Sequence, residues 1–314
     1  AARDACARPI VLYTSVDEPI ARPIVQAFTK KSGIEVKIVT DTEATKSIGL
    51  AERLRAEKGK PRCDVWWGNE PFHTVNLADE GLFEPYESAN AKDVRGLFKD
   101  KLHRWTGCGI RARAIALSTE SSILPSRLDD LLKPAFKNRV VMGKSAIGTI
   151  GGHVAAIYAT RGRAKADDFF RKLRDNGVTL VGGNSMVVQQ IASGNFAIGI
   201  TDNDDIAALD PRQVSMILPD QAAGEVGTLA IPTTIALVKR DDASPESRLL
   251  IDFLVSADTE KMLIDAKFAG WSVRSEETAF RAMQIDYAEV AKAMPQAVRR
   301  AADILEGRDP HPSP

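Results

Sequence analysis

The order of elements in the first forty residues does most to limit what this chain can fold into. Ile10–Thr14 is a short apolar run of strand length, followed by Ser15-Val16-Asp17-Glu18-Pro19. Pro19 suits a first helical turn, and Ile24, Val25, Ala27 and Phe28 make one apolar face up to Lys30. Ser32-Gly33 ends that helix, and Ile34–Val39 supplies the next strand after a short return. Strand, helix and strand joined so tightly form the local unit of a parallel α/β sheet. The alternation continues with a helix over Ile48–Glu57, a strand over Asp64–Trp67 and a helix over Phe72–Glu80 that stops at Gly81. Ligands of such sheets settle beyond the carboxyl ends of strands, where helix N-termini also point. Thr14, Ser15, Asn69 and Glu70 stand in positions of that kind. Tyr13, inside its strand, reads as core. Trp66 and Trp67 are neighbours and face opposite ways, so one enters the core while the other either lines a cleft or makes a second buried contact.

Bulk properties exclude several classes. A chain of 314 residues buries a large core in one or two domains. Lys plus Arg equal Asp plus Glu at 42 each, which gives no basis for binding a phosphate backbone. No apolar stretch reaches the roughly 18 residues of a membrane span. Cys6, Cys63 and Cys108 lack metal-binding spacing and allow either one disulfide with one thiol or three thiols. The start at Ala1 without Met fits a removed leader, soluble or lipid-anchored, and fits the choice of an expressed segment equally well.

Further along, Trp105–Ser118 reads as a strand carrying Arg111 and Arg113 on one face at period two. Either that face is an edge in water, or the arginines meet acids or an anionic ligand group. A short helix over Arg127–Leu132 precedes Pro134, and Val140–Met142 is a strand. The run Gly143–His153 then opens a helix that continues through Tyr158, with Ser145 and Thr149 placed to hold an anion at its start. It lacks the Gly-Lys-Ser/Thr ending of a nucleotide-binding loop, and His153 reads as cap, packing residue or ligand contact. Helix Ala166–Asn176, strand Val178–Val181 and helix Met186–Ala192, with Asn184 or Ser185 as its cap, lead to an apolar strand over Phe196–Ile200. Directly behind it stands Asp202-Asn203-Asp204-Asp205. Carboxylates bunched there repel one another unless cations, N–H groups or a cationic ligand answer them. The run is either a solvated acidic loop or part of a binding site.

Leu229–Val238 is an apolar strand interrupted by Pro232, which implies an edge, a bend or a crossing between lobes. Helices over Leu249–Val255, Glu260–Ala266 and Phe280–Lys292 follow, with a frayed tail over Gly307–Pro314. The pieces assemble into two α/β lobes around a cleft. Residues 1–115 with 228–275 form the first lobe, and 116–227 with 276–314 form the second with the C-terminal helices.

An ordered series of segments resembles the type 2 periplasmic solute-binding proteins, in the extracellular solute-binding family that includes ferric-iron-binding members. It comprises Leu12–Ser15, Gln26–Phe28 with Ser32–Val36, Asp64–Pro71, Arg111–Arg113, Pro134–Val140, Gly148-Thr149 with Gly152-His153, Asn184-Ser185 with Ala192–Gly194, Gly227–Pro232 and Leu250–Ser256. The resemblance spans about residues 9–290. It implies an α/β, two-lobed fold and a periplasmic or extracellular receptor, monomeric and not an enzyme. Such a receptor closes on a small polar or charged solute and delivers it to an ABC-type membrane permease. Ferric-binding relatives carry adjacent tyrosines just after the strand that here ends at Thr201, and this chain has Asp202-Asn203-Asp204-Asp205 instead.

Two cargo chemistries remain open. In the first, acids hold an ammonium or hydroxyls while Arg111, Ser145 and Thr149 hold a carboxylate, phosphate or phosphonate. The ligand set is then Thr14, Ser15, Glu18, Asn69, Glu70, Arg111, Ser145, Thr149, Asp202 and Asp204. In the second, Glu70, Asp202, Asp204 and Asp205 hold ferric iron or another hard cation. No resident cofactor is expected. Metal-assisted hydrolysis or transfer of a phosphoester is the enzymatic alternative. Asp202→Ala is expected to weaken binding at least about tenfold, or about 1.4 kcal/mol, and to leave the fold intact.

Overall fold

The computed structural model describes residues 8–41, 48–145, 148–275 and 279–308. Strand β1 (Ile10–Thr14), helix α1 (Glu18–Ser32) and strand β2 (Val36–Thr40) form the opening unit, with β1 and β2 parallel and in register from Ile10↔Val36 to Thr14↔Thr40. Helix α2 (Ile48–Ala56) returns the chain to β3 (Val65–Gly68), which lies parallel to β1 on its other side. Helix α3 (Pro71–Asp79), short β4 (Phe83–Glu84) and the thirteen-residue β5 (Thr106–Ser118) follow. Next come β6 (Val140–Gly143), α4 (Thr149–Arg161), α5 (Arg163–Asp175), β7 (Thr179–Val181), α6 (Asn184–Ala192) and β8 (Ile198–Asp202). The remaining elements are α7 (Asn203–Ala207), β9 (Val214–Ile217), β10 (Ala230–Val238), α8 (Glu246–Leu254), α9 (Ala257–Asp265) and α10 (Tyr287–Leu305).

The strands run in the order β2-β1-β3-β10-β5-β8-β6-β7, with β4 on β10 and β9 on β5. Strand β5 belongs to both ends of this path. Residues Thr106–Ala112 pair with β10, whereas Arg113–Leu117 pair with β8 and Ile115–Ser118 with β9. Pro232 sits inside β10 at a register shift against β5, and β3 joins β10 only from Thr234 onward, so the proline falls where β10 bends and its β3 side carries no ladder. Pro232 faces Ile110 while Thr233 faces Cys108, leaving Gly109 as an extra residue at φ +68°. That conformation favours glycine, and the freed Gly109 N–H donates to Glu260 Oε1 at 2.9 Å.

Trp66 and Trp67 are both fully buried, as is Tyr13, whose hydroxyl reaches Glu57 at 3.0 Å. Trp66 donates to Thr74 Oγ1 at 2.8 Å. Cys63 and Cys108 are buried free thiols, and Cys6 lies outside the described residues, as does the tail from 309. Gly152 lets α4 and Phe72 of α3 touch, since a Cβ there would fall 2.1 Å from the Phe72 ring.

The last helix differs from the sequence reading. It starts at Tyr287, not Phe280, and runs past Lys292 to Leu305 with Pro295 inside. Asp286 caps it by accepting from Ala288 N. A proline removes one helical donor and orphans the carbonyl four residues back, and here the Ala291 carbonyl accepts from Asn76 Nδ2 of α3 at 3.1 Å. Helix α10 packs on α4 and α5 and also on α3. No helix among the described residues is long and apolar enough to cross a membrane.

Candidate functional site

The site lies where β5 passes from one set of partners to the other. Arg111 and Arg113 share a face of that strand and are 3% and 1% exposed, so neither edges into water. Arg113 stands opposite Asp202 in the β5–β8 register, and its Nη1 donates to Asp202 Oδ1 at 2.7 Å. Arg111 Nη1 lies 3.2 Å from both Asp202 Oδ2 and Asp204 Oδ2, and its Nη2 donates to the Asn69 carbonyl. Two helix starts add donors. Thr149, at the head of α4, gives its hydroxyl to Asp202 Oδ2 at 2.5 Å, and Asn184, at the head of α6, donates to the same oxygen at 3.0 Å. Asn184 Oδ1 in turn accepts from Arg113 Nη1 at 3.0 Å.

Asp202 is therefore fully buried and hydrogen-bonded on both oxygens. Burial alone would raise its carboxyl, but Arg113, Arg111 and the Thr149 hydroxyl outweigh it and hold Asp202 below the usual carboxylate range. Burial likewise opposes the charge on Arg111, and Asp204, Asp202, Asp17 and Asp205 more than restore it. Asp205 turns back to accept from Thr201 Oγ1 at 2.9 Å and from Asp202 N, which starts α7. The acidic run thus continues β8 and opens a short helix, where the sequence suggested either a loop or a site.

Among the described residues, Arg111 Nε and Arg113 Nε and Nη2 are buried without an acceptor. Buried donors of this kind are uncommon and call for an explanation. Oxygens of an anionic group would satisfy them.

The first lobe's residues converge more loosely. Thr14 stitches β1 to β3 by donating to the Trp67 carbonyl at 2.8 Å. The Ser15 hydroxyl and Asn69 form a reciprocal pair, with Asn69 N donating to Ser15 Oγ at 2.9 Å. Glu70 caps α3, accepting from Phe72 N at 2.6 Å and His73 N at 3.1 Å. Asn69 joins the cluster through its carbonyl on Arg111. Glu18 does not join: it is half-exposed on the first turn of α1 and paired with Arg22. Ser145 meets α10, its hydroxyl 3.5 Å from the Val298 carbonyl. Asn184 was read only as a cap, yet Gly183 holds the cap position and the Asn184 side chain enters the network. Asn203, unassigned by sequence, fixes β5 by accepting from Ala112 N at 2.7 Å. The tight Asn184-Ser185 and Asp202-Asn203 pairs at helix starts were the available signals.

Behind Arg113, a small enclosed cavity is lined by His153, Asp220 and Thr228 among others. Burial, and after it the charge of Arg113, pushes His153 well below its ordinary value, so it packs here as a neutral ring. Asp220 has φ +59° and burial raises its carboxyl to about 6, with Arg161 opposing. Its ionised form is disfavoured in the fold, so stability falls as pH rises from the ordinary carboxylate range through about 6. Asp220→Asn tolerates the same backbone and removes this penalty. Its melting point relative to wild type should rise across that window and level off above it. An offset equal at pH about 4 and about 7.5 would refute the assignment.

The hydroxyls of all four tyrosines have partners outside the Asp202–Asp205 run: Tyr13 on Glu57, Tyr86 on Asp252, Tyr158 on Asp167 and Tyr287 on the Ala230 carbonyl. Asp202, Asp204 and Asp205 can instead each bring an oxygen within 4.8 Å of the others.

The chain belongs to the bacterial extracellular solute-binding protein family, whose model matches residues 68–289. Its fold is the type 2 periplasmic-binding-protein architecture. It resembles the ferric binding protein from Campylobacter jejuni at a TM-score of 0.83, with 21% identity over 94% of this chain and 99% of that one. The major ferric iron-binding protein of Neisseria meningitidis serogroup B is 22% identical over 263 residues, 81% of this chain and 78% of that protein. A putative 2-aminoethylphosphonate-binding periplasmic protein of Salmonella typhimurium is 24% identical over 259 residues, 80% of this chain and 73% of that protein. Membership makes this a periplasmic or extracellular solute-binding protein of an ABC importer, a receptor and not an enzyme. The phosphoester-cleaving alternative is thereby set aside.

Proposed function

We propose that the cargo is a hard cation, ferric iron first, taken together with a small oxyanion and not bare. The observation that carries this reading is the mixed charge of one buried cluster. Three carboxylates able to converge within 4.8 Å stand beside two guanidiniums with uncommitted donors. Oxygen ligands suit a hard cation, and the guanidiniums suit the oxygens of its companion anion. The names of the iron-binding relatives support the cation more than they support a purely organic solute. A small zwitterion is the second reading. It is favoured by the hydrogen bonds that already occupy both oxygens of Asp202, and it matches the phosphonate named for the Salmonella relative.

In either reading the protein acts as a monomer with two lobes, residues 1–115 with 228–275 and 116–227 with 276–314. Arg111 touches Asn69 from the first and Asp202 and Asp204 from the second. A ligand answering the spare donors would favour the closed arrangement by its differential affinity.

Native mass spectrometry followed by calorimetry tests the readings, using ferric citrate, citrate alone and 2-aminoethylphosphonate. Retention of iron with an anion supports the first. Binding of the phosphonate without metal supports the second. Flat titrations against all three solutes would sink both.

A further inference from the structure

Arg111 is held more firmly than a surface counter-ion. Its Nη1 sits 3.2 Å from Asp202 Oδ2 and 3.2 Å from Asp204 Oδ2, the place a cation shared by those acids would take. Its Nη2 is tied to the Asn69 carbonyl, and its guanidinium carbon lies 4.8 Å from the centre of the Phe268 ring. Arginine does not lose its proton in proteins, so no change of pH clears this position. A bare divalent ion would either sit within a few ångströms of a fixed positive charge or displace Arg111 and leave it buried without its acids.

We propose that Arg111 is the specificity-determining residue of the cargo site, an internal counter-cation that excludes bare divalent ions and admits solutes bringing an oxyanion for the guanidinium. This rests on the reading of Asp202–Asp205 as the cargo site. Arg113 is placed differently, with its Nη1 2.7 Å from the other oxygen of Asp202. Removing Arg111 alone would open the side shared by Asp202 and Asp204.

The test is a gain of function. Wild type, Arg111→Gln and Arg111→Lys are titrated with CaCl2 and with MnCl2 alone, and melted with and without each salt. Arg111→Gln should bind at least one ion about tenfold or more tighter than wild type and melt higher in its presence. Arg111→Lys, which keeps the charge, should behave as wild type. The melting arm covers a variant that folds poorly, since an ion filling the vacated place would restore its stability. An Arg111→Gln protein that responds to neither salt overturns the proposal, as does a wild type that binds either ion equally well. Asp204→Ala separates the two layers. Suppose it abolishes binding of ferric citrate or 2-aminoethylphosphonate while Arg111→Gln gains no divalent affinity: the selectivity role then falls and the cargo reading stands. The opposite pattern removes the cargo reading and leaves cation exclusion by Arg111 in place.

Discussion

Asp202→Ala is expected to destabilise the protein by about 3–5 kcal/mol, the usual cost of breaking a buried ion pair from one side, and to abolish cargo binding. The sequence alone suggested a lost ligand in an intact fold. The buried position changes that expectation: Asp202 is fully buried and answers Arg111, Arg113, Thr149 and Asn184 at once. Its removal takes from Arg113 its ion-pair partner Asp202 and leaves Arg111 only Asp204 of the two acids it pairs with directly. In a chain of this size the loss corresponds to a melting point lower by roughly 5–8 °C. Because the fold holds Asp202 below its ordinary value of 3.8, its contribution is complete above that pH and disappears only as pH falls through the lower folded value. The gap between variant and wild type should therefore be constant from neutral pH down to about 5 and narrow in stronger acid. A denaturation midpoint unchanged at neutral pH would show that the cluster does not hold the two sheet ends together.

Glu260→Ala should be comparably severe, at about 3–5 kcal/mol, for a site with no cargo contact. Glu260 is 3% exposed on α9. One oxygen accepts from Gly109 N at 2.9 Å and Val273 N at 2.7 Å, and the other from Ser272 Oγ at 2.6 Å and Arg274 Nη1 at 2.8 Å. Alanine orphans two buried N–H groups, those of Gly109 and Val273, takes from Arg274 one of its two carboxylate partners while Asp93 remains, and releases the bulge at Gly109. Glu260→Gln can still accept from the backbone but loses the ion pair, so its effect should be smaller. Urea unfolding of the three proteins orders them, and equal midpoints for Glu260→Ala and wild type would sink the argument.

Much of the framework was legible because its signals are local. The β1–α1–β2 unit, the β5 strand and the α9 helix follow from apolar period, Pro19 and Gly33, and they fall within a few residues of expectation. What failed was decided across the chain. The last helix, expected to end at Lys292, runs on through Pro295, where Asn76, 215 residues from Ala291, supplies the missing donor. Short β4 and β9 carry too few residues for a period and exist as partners of β10 and β5. In the site, the acids and the arginines were each visible as groups needing opposite charge. Their union was not, since Arg111 and Asp202 are 91 residues apart and meet only through the β5–β8 register. Glu18 resembled its neighbours in position but faces water, because the first turn of α1 turns it toward Arg22.

The continuity of β5 has a mechanical consequence. Lobes joined by loops separate by taking up slack, with little resistance until the loop is taut. Here one unbroken strand is laddered at one end to β10 and at the other to β8 and β9, so any opening is torsion in a rod clamped at both ends. Such a rod stores work when twisted and returns it when released. Gly109, with its left-handed backbone and missing ladder bond, is the compliant point along it. A solute that changes the angle between the two ends of β5 would therefore have to work on the strand itself and not on a slack connection.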